Sequence, residues 1–367
     1  MEWLIGGIES LGVILVVLTL SAMLLWVERK GSALVQNRVG ANRAGVFRIA
    51  APFNLGFMNT LMADPLKLFT KEDFIPAGAD RLGHALAPCV ALFPAVVTFA
   101  AIPFGDTIEV GGRIINLQAI NLDVGFLYIT ALVSLGVYGI VLAGWASNNR
   151  WALLGSIRGS AQMISYELAM GISLVSMILL YGTLDMQEMV RWQGGLLFGV
   201  LPAWGVFYQP VAFLIVLTAG IAETKRVPFD LPECESELIA GYYTEYSGGK
   251  QACFMLSDFA EIVMVSGLVT TLFFGGWQVP YLDSKAGLGL PGMTPMALPA
   301  ALITALQVGA FVVKVLFFCC FQILVRWTLP RFRYDQLMNL GWKKMMPIAL
   351  LNMAATALII LLVEQGR

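Results

Sequence analysis

The chain has 367 residues, of which 58% are apolar and only 13% charged, with a mean hydropathy of +0.77; a soluble globular domain does not have this composition. Its 23 Lys and Arg stand against 24 Asp and Glu, a formal charge of −1, which excludes a basic nucleic-acid binder. A single histidine, His84, cannot build a bis-histidine haem. The five cysteines (Cys89, Cys234, Cys253, Cys319 and Cys320) show no C-x-x-C pairing, so neither an iron–sulfur cluster nor a disulfide framework is expected and they read as small buried apolar side chains. The glycine-rich phosphate loops G-x-G-x-x-G and G-x-x-x-x-G-K-[ST] are missing from the sequence, so no nucleotide fold is expected within it.

A membrane-crossing helix needs about 20 mostly apolar residues. The first such run, residues 4–27, follows Met1 and Glu2 with no basic flank and no small-residue cleavage site, and is read as an uncleaved span. In the long loop after it, Phe53, Phe57 and Leu61 recur every four residues, with Met58 and Met62 beside them and Pro65 following. The stretch Phe53 to Asp64 is too short to cross and is predicted to lie at the interface. Further spans are predicted at 84–103, 124–147, 160–181, 203–222, 253–275, 300–325 and 347–363. The fold class is therefore an all-α membrane protein, a bundle of about eight transmembrane helices with an interfacial helix in the first cytoplasmic loop. No internal repeat divides it, so residues 1–367 form a single polytopic domain.

Basic residues test the count. Loops 28–83, 148–159, 223–252 and 326–346 hold 18 of the 23, whereas the opposite loops and tails hold four and Lys314 lies within a span. This asymmetry places the four basic loops in the cytoplasm and both termini on the periplasmic side. A bacterial cytoplasmic membrane is the expected location.

Carboxylates inside membrane helices usually face a cavity or a partner, because lipid does not solvate them. Four stand out: Glu9, Glu167, Asp258 and Glu261. Glu9 is near a helix end and can snorkel to the interface. Asp258 and Glu261, three apart, share a helical face and can couple. Lys314 can pair with one of these acids, as a structural or a functional ion pair.

The loop Glu223 to Tyr246 carries Glu223, Asp230, Glu233, Glu235, Glu237 and Glu245 against Lys225 and Arg226. Asp230 and Glu233, with Pro232 between them, also fit the start of a short helix, which would make them caps. Glu233 and Glu237 one turn apart on such a helix would repel and raise at least one pKa, as a proton relay requires. Residues 28–43 and 326–335 put fixed cations among Tyr and Phe at the same face, a composition that suits a polar head group on an apolar tail or a docking soluble partner.

Ordered motifs accumulate along nearly the whole chain: Val27-Glu-Arg-Lys30, Gln36-Asn-Arg38, Ala63-Asp64, Lys71-Glu72, Gly144-Trp-Ala-Ser147, Ile164-Ser-Tyr-Glu167, Ala222-Glu-Thr-Lys-Arg226, Pro228-Phe-Asp230, Glu233 to Leu238, Glu245-Tyr246 and Pro330-Arg-Phe-Arg-Tyr-Asp335. In this order they resemble the H-subunit family of proton-pumping NADH:quinone oxidoreductase, respiratory complex I. The resemblance implies a membrane-arm subunit that is not active alone, that anchors the peripheral arm and that forms much of the quinone chamber. Quinone would be its substrate, with FMN and iron–sulfur clusters in partner subunits and small membrane-arm subunits as neighbours. It also implies that Arg29, Gln36, Arg38, Phe229 and Arg326 lie near the quinone path. By the same resemblance Asp64, Tyr138, Tyr166, Glu167, Glu223, Arg226, Asp230, Glu233, Glu235, Glu237 and Glu245 belong to a polar file leading inward, and the intramembrane Asp258 joins them as a relay acid. The family usually has Asn where Lys225 stands, Pro for Ala41, and Ala-Glu-Tyr for Ser257-Asp-Phe259; Thr60-Leu61 replaces a usual Gln-Pro, and the segment Phe47 to Met58 is longer. Homologous subunits of hydrogenase-type or ferredoxin- and coenzyme-dependent complexes are an alternative host, and a stand-alone ion transporter is a further alternative.

Overall fold

A computed structural model describes the backbone of residues 2–40, 56–110, 113–197, 201–283, 287–288 and 299–365, and the side chains within them except at 2–10, 56–61, 109–110, 113–115, 235–236, 283 and 287–288. The helices are α1 (Glu2–Val35), α2 (Gly56–Thr70), α3 (Arg81–Val97, continued by a 3-10 turn Thr98–Ala101), α4 (Gly125–Ala146), α5 (Arg150–Tyr181), α6 (Met186–Trp192), α7 (Gly205–Tyr208), α8 (Pro210–Glu223), α9 (Glu235–Leu238), α10 (Gly248–Phe273), α11 (Ala300–Thr328), α12 (Tyr334–Asn339) and α13 (Met346–Gln365), the last two joined by a π-helical turn Leu340–Met345. Among the described residues three two-stranded antiparallel ribbons decorate the connections; β1 (Thr107–Val110) pairs with β2 (Arg113–Asn116) in the predicted outer loop 104–123. Seven helical segments among the described residues are long and apolar enough to cross a membrane.

The predicted span 203–222 takes a different form. It is broken into α7 and the 14-residue α8, whose length of about 21 Å at 1.5 Å per residue is less than a bilayer's hydrocarbon core of about 30 Å. Pro210 opens α8 without a backbone N–H to extend α7. Gln209 at the break is tied to α13 instead, donating to Thr356 Oγ1 at 2.6 Å and accepting from Asn352 Nδ2 at 2.8 Å. α8 therefore ends inside the bundle, with Glu223 at its last position.

α10 is the central element. From Ser257 to Phe273 every side chain is buried, as expected of a helix apolar all round, and it packs on α1, α3, α8 and α11. α5 is ten residues longer at its start than the predicted span, because the Asn149 side chain accepts from Trp151 N at 2.9 Å and caps the helix there. α5 lies between α4, α8 and α13. Close approach of α3 and α4 depends on Gly139, where a Cβ would stand 2.7 Å from Ala91 N; small residues serve this purpose in membrane bundles. At Gly155 a Cβ would stand 2.9 Å from both Pro232 O and Gly241 Cα, so this glycine lets the loop after α8 press onto α5.

α2 occupies most of the predicted interfacial stretch and packs on α1 and α10. It starts at Gly56 and runs through Pro65 to Thr70, since one missing N–H need not end a helix whose flanks are packed. Phe53 lies outside the described residues, and so does the side chain of Glu9.

Among the described residues Lys314 pairs with no carboxylate, contrary to the sequence expectation. Its ammonium donates to the carbonyls of Phe274 (2.8 Å), Gly276 (2.9 Å) and Gln278 (2.7 Å) and sits 5.0 Å from the Trp204 ring centroid. It thus closes the carbonyl end of α10, where a cation is favoured. Lys314→Met is expected to destabilise the chain by about 2–4 kcal/mol through the stranded carbonyls, read as a lower melting temperature of the purified protein. The cysteines also divide: Cys234 and Cys319 are buried, whereas Cys89 and Cys320 are exposed on the bundle surface, where apolar thiols meet lipid without penalty.

Candidate functional site

The C-terminal part of α1 begins a chain of buried charges. Glu28 accepts from Arg326 of α11 at 2.6 Å and from Arg226 at 3.1 Å. Arg226 lies 4.2 Å from the Phe259 ring centroid and 3.9 Å from Asp258. Asp258 is then held by Lys225 at 3.0 Å, and Lys225 reaches both oxygens of Glu261 at 3.1 Å. Three cations and three carboxylates thus alternate in contact, and the side chains of Lys225 and Asp258 are each only 3% exposed.

Local chain geometry sets this up. The chain turns at Lys225 with φ 55°, a left-handed conformation rare for a residue with a Cβ. The loop carrying it is stapled to α5 by Gln162 Nε2, which donates to the carbonyls of Ala222 and Phe229, both at 2.7 Å. Burial disfavours the charged form of Lys225, but the carboxylates of Asp258 and Glu261 outweigh it and hold the ammonium well above its ordinary pKa.

Beyond Glu261 the file continues through space. Glu261 and Glu223 line a small void of about 10 Å³ with Ala91, Gly136 and Met163, at the lower limit for a single water. Glu223 and Glu167 line a larger cavity of about 480 Å³ with Thr130, Val133 and Met264. Glu223 Oε2 is buried and has no hydrogen-bond partner among the described residues, whereas Glu167 accepts from Ser134 of α4. An apolar groove of about 470 Å³ between α1 and α11 has no acid or base in its lining and is separate from the file.

The loop acids divide. Asp230 accepts from Arg331 at 2.7 Å, yet burial pushes its carboxyl up to about 6. Neither Asp230 nor Glu233 caps a helix, contrary to one sequence expectation: residues 231–233 form turns and α9 begins at Glu235. Glu233 folds back towards the hydroxyl of Tyr243 and is pushed up to about 7 by burial and by the charges of Asp258 and Asp230. A carboxyl raised in the folded state stabilises when protonated, so this contribution is full below about 4.5 and is lost as pH rises towards 7. Glu233→Gln is accordingly expected to gain thermal stability relative to wild type as pH goes from 5 to 8; a constant difference across that range contradicts the assignment.

Several predicted site residues stand elsewhere. Glu237 is exposed and pairs with Arg158 at 2.6 Å, so it shares no helical face with Glu233. Glu245 accepts from Asn149 at 2.7 Å in a surface cleft with Arg150 and Trp151. The side chain of Glu235 lies outside the described residues. Tyr166 is fully buried and donates to Leu337 O at 3.0 Å, while Tyr138 is 65% exposed, remote from the file because its face of α4 points outward. Arg29 pairs with Asp64 at 2.8 Å, tying α1 to α2. Gln36 and Arg38 contact each other at 2.6 Å on the exposed end of that region, and Phe229 is packed between Tyr166 and Phe332.

Glu28, Tyr243 and Ser134 join the site without a role assigned to them from the sequence. Glu28 lies within the Val27–Lys30 motif, but Tyr243 and Ser134 carry no signal until the fold sets them against Asp258 and Glu167. Among the described residues no three His, Cys, Asp or Glu side chains form a metal-binding group.

Fold and site together define an integral, multi-pass, all-helical membrane protein with a buried acid–base file. A family model described as NADH dehydrogenase matches residues 8–357. The NADH-quinone oxidoreductase H subunit numbered 2 in Geobacter sulfurreducens is 46% identical over 98% of this chain and 97% of its own length. The NADH-quinone oxidoreductase H subunit numbered 1 in Cytophaga hutchinsonii is 43% identical over 92% and 91%, and the NADH-quinone oxidoreductase H subunit of Thermomicrobium roseum 44% over 94% and 92%. The chain belongs to the H-subunit family of NADH-quinone oxidoreductase.

Proposed function

We propose that the chain forms much of the quinone chamber of a membrane NADH:quinone oxidoreductase and couples quinone reduction to proton translocation through its buried acids. The carrying observation is the unbroken contact from Glu28 through Arg226, Asp258 and Lys225 to Glu261, continued by the cavities at Glu223 and Glu167. A charge change beside Arg29, Arg326 and Glu28 is felt along such a ladder, because Glu28 and Asp258 are each shared by two cations and Arg226 and Lys225 each by two carboxylates, and a low dielectric screens them weakly. Quinone enters on the side of Arg29, Gln36, Arg38, Phe229 and Arg326. The relay acids are Asp64, Asp230, Glu233, Glu235, Asp258, Glu261, Glu223 and Glu167, with Tyr166 beside them, whereas Glu237, paired with Arg158, and Glu245, held by Asn149 in the surface cleft, stand outside the file. Peripheral-arm subunits carry FMN and the iron–sulfur clusters and close the chamber, small membrane-arm subunits are neighbours, and both termini face the periplasm across a bacterial cytoplasmic membrane, with α7, α8 and the loop to Arg226 together making the eighth crossing beside the seven long spans.

The test is gentle extraction of the native complex, mass spectrometry of what co-purifies, and labelling with a photoreactive quinone. Co-purifying flavin and iron–sulfur subunits, NADH:quinone reductase activity and label on the segments around Arg29 and Arg326 are expected. A solitary chain, or label confined to other subunits, contradicts the proposal.

A further inference from the structure

We propose that the phenol of Tyr243 is the proton bridge between the loop acid Glu233 and the intramembrane acid Asp258, a role that rests on the relay reading above. Tyr243 Oη donates to Asp258 Oδ2 at 2.5 Å, and the Glu233 carboxyl, folded back from the loop, lies close enough to the same hydroxyl to interact with it. The ring is nearly buried, at 9% exposure, and is fixed by Tyr242 at 4.1 Å and Phe254 at 5.7 Å between centroids. Arg226 and Tyr242 are also close to both acids, but a guanidinium does not give up its proton in a protein, and the Tyr242 hydroxyl is hydrogen-bonded to neither acid. A phenol has one donor and spare lone pairs, so it can accept from a neutral Glu233 while donating to an ionised Asp258.

Proton transfer then balances without a free phenolate. The O–H bond of the Glu233 carboxyl breaks as its proton forms a bond to Oη, and the original Oη–H bond breaks as that proton forms a bond to Asp258 Oδ2. Tyr243 ends as it began, Glu233 is left ionised and Asp258 neutral. The surrounding cations tolerate the change: Lys225 keeps both oxygens of Glu261 at 3.1 Å and Arg226 keeps Glu28 at 3.1 Å. Glu233, whose carboxyl is pushed up to about 7, is supplied for this role from the loop side, and Asp258 hands the change to the ladder beyond.

The experiment uses the native complex carrying Tyr243→Phe, which removes a single oxygen. NADH oxidation with a soluble artificial acceptor is expected to be unchanged, quinone reduction to fall at least about tenfold, and its solvent deuterium isotope effect to grow. Wild-type quinone reduction with an unchanged isotope effect, alongside an impaired Glu233→Gln, overturns the bridge. Wild-type rate and pumping in both Glu233→Gln and Asp258→Asn would instead overturn the relay reading itself. A second measurement is independent of assembly of the variant: redox-difference infrared spectra of the wild-type complex with ring-labelled tyrosine are expected to contain a label-sensitive tyrosine band, and its absence overturns the proposal.

Discussion

Lys225→Met is expected to lose quinone-coupled activity and most of the assembled complex. The substitution removes the cation between Asp258 and Glu261 and leaves Arg226, 3.9 Å from Asp258, as the nearest remaining counter-charge there. Breaking a buried pair from one side costs about 3–5 kcal/mol, because the abandoned charge stays desolvated. Protonation of Glu261 relieves part of this cost but removes an ionised acid from the file. The double variant Lys225→Met/Glu261→Gln restores neutrality and is expected to assemble better than the single one. Native gels and thermal melts of both decide it; a single variant that assembles and melts as wild type contradicts the ladder.

Glu28→Gln has the second largest expected effect. Glu28 is shared by Arg226 and Arg326, whose side chains are 11% and 22% exposed, so the variant leaves two guanidiniums facing each other without their common carboxylate. A loss of about 3 kcal/mol is expected. It falls on the contact between α1, α11 and the loop after α8, beside Arg29. The expected readout is a melting temperature lowered together with kcat/KM for quinone, while NADH oxidation by an artificial acceptor is unchanged. An unchanged kcat/KM for quinone would detach this end of the ladder from the quinone site.

Seven of the eight spans were legible because each is a run of about 20 apolar residues, and that signal survives any packing arrangement. The eighth was legible as apolar but not as short: Gln209 and Pro210 mark the break only once α13 supplies Thr356 and Asn352 to receive Gln209. The intramembrane acids were legible for the same reason as the spans, since a carboxylate in an apolar run needs a partner. Which partner was not legible. Lys314 stood out as the one cation in a span, yet it caps carbonyls that come together only through the turn at Gly275 and Gly276. Lys225, noticed as a counter-charge to the loop acids and as a departure from the family pattern, proved to join Asp258 and Glu261. Asp230 and Glu233 had a local reading as helix caps, and tertiary contacts to Arg331 and Tyr243 displaced it. Long-range pairings of this kind leave no trace in residue spacing.

Glu223 is the acid common to the two cavities, since it lines both. On the relay proposed above, its Oε2, which has no hydrogen-bond partner among the described residues, is placed to take and release a proton between Glu261 and Glu167. The most direct test of the coupling file is therefore protons translocated per NADH oxidised, measured on the native complex reconstituted in sealed vesicles with Glu223 or Gln at this position. Glu223→Gln is expected to assemble and accept electrons from NADH, but to lose nearly all proton translocation together with quinone reduction. Translocation at the wild-type ratio and rate in Glu223→Gln would show that protons do not pass through this file.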